Sequence, residues 1–223
     1  MRRLAILCSL FLLFIFAVAE AHDVSGTVQI MLKGDKPKSD LSTVIVYLEQ
    51  PENPKAAPSS HREYQMATKN KQISPRALAV PVGAVVNFPN SDPIYHNLFS
   101  VSAPNQFDLG LYKGGESKTK AFEAPGIVRV FCNVHPQMTA TIVVANTLYF
   151  TTADKQGAFS FGNVPDGNYL LKAYADEGQS SQKIEVRDTA LNVPVKIDAR
   201  SYKQLPHKNK FGKDYSTDEN ERY

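Results

Sequence analysis

Alternating apolar and polar residues near the start of the chain predict β-strands. The segments SGTVQIML (25–32) and STVIVYLEQ (42–50) place every second side chain on one apolar face, as half-buried strands do. No stretch of the sequence carries the sustained 3.6-residue periodicity of a long amphipathic helix. The pattern therefore predicts an all-β protein.

Short apolar segments separated by turn residues continue this pattern through the middle of the chain. Pro, Asn, Asp and Gly cluster in the turns PNSDP (89–93) and YKGGE (112–116). Closely spaced short strands are typical of a β-sandwich or a β-barrel. The predicted strands are 64–71, 77–88, 96–102, 107–112, 117–124, 126–132 and 139–145.

A second β-unit is predicted over residues 147–199. Turn residues precede an apolar alternation around Phe159, and a second turn precedes another alternation around Tyr169. Residues 51–62, rich in Pro, Ala and Ser, are expected to form a linker. Residues 200–223 are polar and show no periodicity, so a mobile tail is expected there.

The first 21 residues have the pattern of a secretory signal peptide. MRRLAILCSLFLLFIFAVAEA combines a basic start, a continuous apolar run and a small-residue ending, with cleavage expected before His22 or Glu20. No later segment is apolar enough to span a membrane. We therefore expect an exported protein, periplasmic or secreted, with no membrane span after cleavage.

Length and charge narrow the function further. A mature chain of about 200 residues has room for one large β-domain or two small ones. Without Arg2, Arg3 and Glu20, the formal net charge of +3 falls to +2. A balance so near neutrality argues against nucleic acid as a partner.

The cysteine count raises a chemical question about the mature chain. The sequence has two cysteines, and Cys8 would leave with the signal peptide, so Cys132 would be the one thiol exported. An intramolecular disulfide is then impossible, although exported proteins usually oxidise their thiols. An intermolecular bridge, a buried inert thiol and a metal ligand remain as explanations for Cys132.

The residues around Cys132 favour a metal site. An electron-transfer copper site needs ligands that suit both Cu(I) and Cu(II), namely a thiolate, two imidazoles and a weak axial thioether. The segment VFCNVHPQM (130–138) offers Cys132, His135 and Met138 on one short loop between two predicted strands. His96, at the start of an upstream predicted strand, is the natural second imidazole.

Residues 63–146 resemble the cupredoxins, the small blue-copper proteins. The C-x-x-H-x-x-M loop, with proline directly after the histidine, is similar to the short-loop type of amicyanin. The resemblance implies a Greek-key β-sandwich that holds one type 1 copper ion. His96, Cys132 and His135 would be the equatorial ligands and Met138 the axial one.

The same resemblance implies supporting roles for two asparagines. Asn97 would tie the two ligand loops together and place a backbone N–H near the thiolate sulfur. Asn133 stands where the family commonly has a hydroxyl residue after the cysteine, and this departure leaves the reduction potential open.

Other interpretations of these residues remain open. A degenerate cupredoxin without metal is the main alternative. Zinc is disfavoured because a thioether is a poor zinc ligand, and a Cys–His nucleophile would leave Met138 unexplained. Cleavage before His22 could create a histidine-brace copper site with His61 or His207, but these two histidines lie in the expected linker and tail, where solvation is usual.

The second β-unit has a resemblance of its own. The segment TTADKQGAFSFGNVPDGNYLLKA (151–173) resembles the carboxypeptidase-regulatory or transthyretin-like β-sandwich. Residues 22–50 begin as such domains do, so residues 147–199 and 22–50 are expected to form one split, smaller sandwich around a cupredoxin domain at 63–146. The alternative assigns the first strands to the cupredoxin domain.

Taken together, these patterns predict an exported blue-copper protein that carries single electrons and is not an enzyme. Coupled copper centres need further histidines, often in H-x-H pairs, which this sequence lacks. Copper storage or delivery, and a structural module with a vestigial site, are the alternatives. A redox partner protein is expected to dock near His135, on an apolar patch of Pro93, Ile94, Pro104 and Pro136. The chain is also similar to methylamine-utilisation-type plastocyanin-like proteins, although no residue establishes that role.

Overall fold

The computed structural model describes residues 20–50 and 63–216. These residues form eighteen β-strands, and none of them lies in a helix, so the predicted all-β class is confirmed. No helix in this part of the chain is long and apolar enough to cross a membrane. The predicted signal peptide, up to residue 19, and the predicted linker at 51–62 lie outside the described residues.

The strands follow one another closely along the chain. In order they are β1 (Ala21–Leu32), β2 (Lys36–Pro37), β3 (Ile45–Glu49), β4 (Tyr64–Gln65), β5 (Ala67–Lys69), β6 (Gln72–Ser74), β7 (Ala77–Pro81), β8 (Ala84–Pro89), β9 (Leu98–Ser100), β10 (Phe107–Asp108), β11 (Ser117–Phe122), β12 (Gly126–Cys132), β13 (Thr139–Ala145), β14 (Phe150–Thr152), β15 (Ala158–Pro165), β16 (Gly167–Ala175), β17 (Gly178–Val186) and β18 (Leu191–Ala199).

One sandwich combines strands from both ends of the described chain. Its first sheet has the order β15-β1-β18, with β2 added to the end of β1, and β1 and β18 run parallel. Its second sheet has the order β14-β3-β16-β17. Alternation in β1 turns Val24, Val28 and Ile30 inward, where they pack with Leu48 of β3 and Leu171 of β16.

The other sandwich is built from the middle of the chain. One sheet has the order β10-β9-β12-β13-β7, and the facing sheet has the order β11-β8-β4. Their inner faces enclose a separate core that includes Phe88, Phe122, Val130 and Ile142. Each such side chain contributes about 1.5–3 kcal/mol through the apolar surface it removes from water. Cys132 and Met138 belong to this core.

A small apolar cluster joins the two sandwiches. Ile45 of β3 packs against Ala77 and Ala79 of β7 and Val143 of β13, with Tyr47, Ile127, Phe150 and Tyr174 at the edge of the cluster. Ile45 belongs to the first sandwich, whereas the other three buried residues belong to the second. The contact is modest in size beside either of the two cores.

The predicted strand 77–88 is wrong as a single element, because the chain changes sheets within it. β7 ends at Pro81, and Gly83, with a φ of 86°, lies in the turn that leads into β8 at Ala84. β7 pairs with β13 in one sheet, and β8 pairs with β11 in the facing sheet. Apolar residues on both sides of the turn concealed the break, since each half is buried.

Candidate metal centre

A β-hairpin carries three of the four predicted ligands. β12 ends at Cys132, and β13 begins after Met138, so the ligand loop spans residues 133–138. Cys132 N donates to Met138 O at 3.2 Å, and Met138 N donates to His135 O at 3.0 Å. These bonds close the loop tightly, and the alternation of β12 turns the Cys132 side chain into the core.

Strand pairing brings His96 to the same place. Leu98 of β9 is opposite Cys132 of β12, and His96 lies two residues before Leu98. His96 also exchanges two backbone hydrogen bonds with Tyr112, at 3.1 and 3.0 Å. Tyr112 therefore holds the backbone of His96, and the pairing of β9 with β12 places His96 near Cys132.

The donor atoms of three predicted ligands converge. Cys132 Sγ lies 3.8 Å from His96 Nδ1 and 3.8 Å from His135 Nδ1. All three atoms lie within 4.8 Å of one another. The imidazole centroids are 4.9 Å apart, with the rings inclined at 61°. All three side chains are buried, as is Met138.

A carboxylate orients His96. His96 Nε2 lies 2.8 Å from Asp92 Oδ2, and both side chains are buried. If Nε2–H donates to this carboxylate, Nδ1 keeps its lone pair and points it at the sulfur. Carboxylate–histidine pairs fix ligand tautomers in many metal sites. The sequence pattern D-x-x-x-H-N places Asp92 four residues before His96, but the pattern alone assigns Asp92 no role.

The turn between β5 and β6 holds Asp92 in place. The backbone N–H groups of Asn70 and Lys71, both at a φ of 54°, donate to its two carboxylate oxygens. Burial alone raises the pKa of Asp92, but hydrogen bonds from Lys71, His96 and Asn70 outweigh it and the pKa is lowered. Asp92 therefore stays ionised and can support a charged centre.

Burial sets the charge states of the candidate ligands. It lowers the pKa of His96 despite the opposing influence of Asp92, so the imidazole is neutral near neutral pH. Burial also raises the pKa of Cys132, against backbone hydrogen bonds from Asn97, Val134 and His135. A bound cation would favour the thiolate, because a coordinating thiol loses its proton.

The two asparagines lie where the ligand loops meet. Asn133 N donates to Asn97 O at 2.8 Å, which joins the ligand loop to the segment that carries His96. The side-chain amide of Asn97 donates to Asp108, and the Asn97 N–H also lies at the Cys132 sulfur. Asn133 Oδ1 accepts a hydrogen bond from Lys210 N at 3.1 Å.

Residues 201–216, here called the C-terminal strap, contact the ligand loop, and residues 217–223 of the predicted mobile tail lie outside the described residues. His207 stacks on Phe131 with ring centroids 4.1 Å apart, and His207 Nε2 lies 2.7 Å from Pro136 O. Tyr215 donates from its hydroxyl to Cys132 O at 3.0 Å. Sequence analysis missed these contacts because the strap lacks periodicity and lies far along the chain from the loop.

The structure separates the histidines proposed for a histidine brace. His22 lies in β1, and its Nε2 is 3.2 Å from Asp166 Oδ1, with Glu20 nearby. His207 lies on Phe131 of the other sandwich. His61 is outside the described residues. His22 and His207 therefore have different neighbours, and the brace receives no support from the described residues.

Comparisons with known proteins give partial likenesses. The family model for domain II of polysaccharide lyase family 4 matches residues 123–193, a different β-sandwich family from the transthyretin-like one that residues 151–173 resemble. The match spans less than a third of the chain and includes strands of both sandwiches. No curated protein is significantly similar to the sequence.

Solved structures similar to this chain include several copper proteins. A copper-containing nitrite reductase from Thermus scotoductus SA-01 is 26% identical over 39% of this chain and 23% of that chain, with a TM-score of 0.37. This chain thus spans less than a quarter of the reductase. A purple cupredoxin from Nitrosopumilus maritimus is 24% identical over 37% of this chain and all of that chain (TM-score 0.33). A reduced amicyanin variant is 19% identical over 45% and 98% (TM-score 0.36).

Proposed function

We propose that this chain binds one copper ion and carries single electrons. His96, Cys132 and His135 would hold the ion, with Met138 as a weaker fourth ligand. The observation that carries the proposal is the convergence of two imidazole nitrogens on one buried cysteine sulfur, each at 3.8 Å. A thiolate, two imidazoles and a thioether are the donor set of blue-copper electron-transfer sites.

The spacing of the donor atoms fits a shared metal ion. Bonds of about 2.3 Å to sulfur and about 2.0 Å to nitrogen, set at about 120° to each other, place the two donor atoms about 3.7 Å apart. The distances from Cys132 Sγ to both Nδ1 atoms match this value. Asp92 leaves Nδ1 of His96 as the free donor atom, which is also the atom that faces the sulfur.

Copper in such a site supplies a one-electron couple, and the chain supplies the rigidity that rapid transfer needs. Cys132 and His96 are held by neighbouring strands, and the short loop holds His135 and Met138. Burial of all four side chains excludes water from the centre. Ligands that are fixed in this way favour a similar arrangement in both oxidation states.

Closed ligation favours electron transfer over copper delivery. His96 and Cys132 are 0% exposed, Met138 is 1% exposed and His135 is 5% exposed. Transfer of the ion to an acceptor needs a ligand that the acceptor can reach, whereas an electron can pass through a buried ligand. We infer that the chain is a carrier and not a storage or delivery protein.

The location and partner of the protein belong to the same proposal. We infer an exported carrier from the pattern of residues 1–21. His135 is the more exposed of the two imidazoles, which supports a redox partner that docks on that side. Pro136 of the expected patch is half-buried beside the C-terminal strap, so a partner would meet the strap as well.

The visible absorption of the copper-loaded protein tests this function. We expect an intense thiolate-to-copper band near 600 nm (roughly, for thiolate-ligated blue sites). Cys132→Ser should remove the band because it removes the thiolate. Met138→Ala should keep the band and change the reduction potential, since the axial ligand tunes the potential.

Leu148→Ala provides a control because Leu148 is an exposed residue outside the site. It should leave both the band and the potential unchanged. A copper-loaded wild-type protein without the band would contradict the proposal.

A further inference from the structure

We propose that the C-terminal strap positions the ligand loop, with Tyr215 and His207 as the positioning residues. The proposal rests on the proposed copper function and adds a determinant of the same site. It assigns a function to a segment whose sequence predicts only a polar tail. Its support is a set of hydrogen bonds and ring contacts from the strap to residues Phe131, Cys132, Asn133 and Pro136.

Three hydrogen bonds join the strap to the ligand loop. The Tyr215 hydroxyl donates to Cys132 O at 3.0 Å, Lys210 N donates to Asn133 Oδ1 at 3.1 Å, and His207 Nε2 donates to Pro136 O at 2.7 Å. Two of these acceptors are backbone carbonyls, that of Cys132 at the end of β12 and that of Pro136 within the loop. The strap therefore supplies hydrogen-bond donors both to the loop and to the strand end that leads into it.

His207 and Tyr215 also support each other. The His207 ring stacks on Phe131, the residue before Cys132, at a centroid distance of 4.1 Å and an interplanar angle of 22°. Tyr215 packs edge-on against the His207 ring, and its hydroxyl lies 3.3 Å from His207 Nδ1. The two side chains form one layer over the end of β12, so the loss of either should loosen the other.

A second attachment links the strap to the loop that carries His96. Lys210 Nζ lies 2.7 Å from Asp108 Oδ2, and Asp108 Oδ1 accepts the hydrogen bond from Asn97. Asn97 directly follows His96 and accepts the hydrogen bond from Asn133 N. The strap thus contacts both segments that carry ligands, and it spans the place where they meet.

The expected consequence is a loop that stays closed around Cys132 and His135. Partners that orient metal ligands typically change metal affinity by about 10–100-fold when they are removed. Tyr215 donates its hydrogen bond to the backbone carbonyl of Cys132, a proposed ligand. Loss of this bond should let the Cys132 backbone move, and the sulfur would move with it. A strap that only covered the surface would leave the metal properties unchanged.

Two substitutions in the full-length protein test the proposal. Tyr215→Phe removes only the hydroxyl, and His207→Ala removes the ring and its hydrogen bond to Pro136. Tyr202→Phe is the matched control, because Tyr202 is on the same strap but its side chain packs against the core of the first sandwich, away from the ligand loop. His207 and Tyr215 belong to neither core, and Tyr202→Phe removes only a hydroxyl from a side chain at the edge of the first core, so each variant should fold.

Amide hydrogen exchange of the apoprotein is the first measurement, and it needs no copper. We expect the Asn133, Val134 and Met138 amides to exchange about fivefold faster in Tyr215→Phe, the effect of losing one ordinary hydrogen bond. His207→Ala should have a larger effect, because it removes a hydrogen bond and a stacking contact. The control should exchange like the wild type.

Copper release to a chelator and the charge-transfer band are the second measurements. We expect roughly tenfold faster release in both variants, with a shifted or broadened band. Loop exchange and copper release equal to those of Tyr202→Phe would overturn the proposal. Faster exchange with unchanged release and band would also overturn it, since the strap would then be a structural contact alone. Wild-type protein that binds no copper would refute the proposed function instead, while the exchange result would still report on the strap.

Discussion

At the level of single residues, Asp92 fixes the direction in which the His96 imidazole points. It is buried, and it accepts hydrogen bonds from two backbone N–H groups besides its contact with His96. These donors keep the carboxylate ionised, so it can hold Nε2–H of His96. The orientation of the imidazole therefore depends on a residue that is not itself a ligand.

Asp92→Asn tests this dependence. The amide keeps an acceptor oxygen but loses the negative charge, so the affinity for copper should fall by roughly 10–100-fold. Competition with a copper chelator measures the change. Asp40→Asn is the control, since Asp40 is exposed and its hydrogen bonds go to Ser42. An Asp92→Asn protein that binds copper as tightly as the control would contradict the role of the carboxylate.

At the scale of elements, the ligand hairpin is simple, and its supports are distant in sequence. The predicted strands 126–132 and 139–145 agree with β12 and β13, because each combines β-branched residues with clear turns at its ends. The strap that holds the loop between them comes from the end of the described chain. The ion pair of Lys210 with Asp108 adds a charged contact to its hydrogen bonds and ring contacts.

Acid should weaken that attachment. Burial raises the pKa of Asp108, but hydrogen bonds from Lys210, Asn97 and the Gly110 N–H lower it below its ordinary value of 3.8. A lowered pKa in the folded state means that the stabilising effect is complete above about pH 4 and is lost as the pH falls through the folded pKa. Because Asp108 is partly exposed, its contribution should be at most about 1 kcal/mol.

Urea unfolding of the wild type and of Asp108→Asn measures this effect. At pH 7 the wild type should be the more stable of the two proteins, and the difference in the free energy of unfolding should shrink between pH 4 and pH 2 (roughly, from the ordinary carboxyl range). Leu148→Ala, at an exposed residue that carries no charge, is the control and should show no such convergence. A difference that stays constant over this range would show that the Asp108 charge does not stabilise the fold.

At the scale of the whole molecule, two cores share one small junction. Leu48 is 0% exposed in the first sandwich, and Phe88 is 0% exposed in the second, which also contains the candidate site. The cluster around Ile45 and Val143 is the apolar link between them in the described part of the chain. We propose that the first sandwich is one split domain, with the second inserted into it, since its sheets pair strands from both ends of the described residues.

Core truncations test how far the two sandwiches unfold separately. Leu48→Ala should cost about 2–5 kcal/mol, and Phe88→Ala about 3–5 kcal/mol, because each leaves a cavity. Unfolding in urea should be monitored both by circular dichroism and by the copper band. The urea concentration at which the band is lost should fall more in Phe88→Ala than in Leu48→Ala. Two-state behaviour is not expected for such a molecule.

Val85→Ala is the control for Phe88→Ala, because Val85 lies on the exposed face of the same strand. It should change the unfolding midpoint little. Equal shifts of the band in Leu48→Ala and Phe88→Ala would instead mean that both sandwiches unfold as one unit.

The order of residues along the chain was enough to predict the strand periodicity and the side chains with the right chemistry. Alternation and turn residues are local properties, so the all-β class and the ligand hairpin could be predicted from a few neighbouring residues. The spacing of Cys132, His135 and Met138 is equally local. His96 lies 36 positions before Cys132, so no local spacing points to it. Its place at the start of an upstream predicted strand suggested it, and the resemblance to a known family gave it a ligand role.

The residues that support the site became visible when the chain was seen folded. The change of sheets at Gly83, the position of Asp92 under His96, and the contacts of the strap all join segments that the sequence pattern treats separately. Tyr215 and Cys132 are 83 positions apart, and their contact follows from how the last strand of one sandwich directs the chain onto the other. Such contacts depend on how distant segments pack together. The hydrophobic pattern describes one strand at a time, so it carries no information about them.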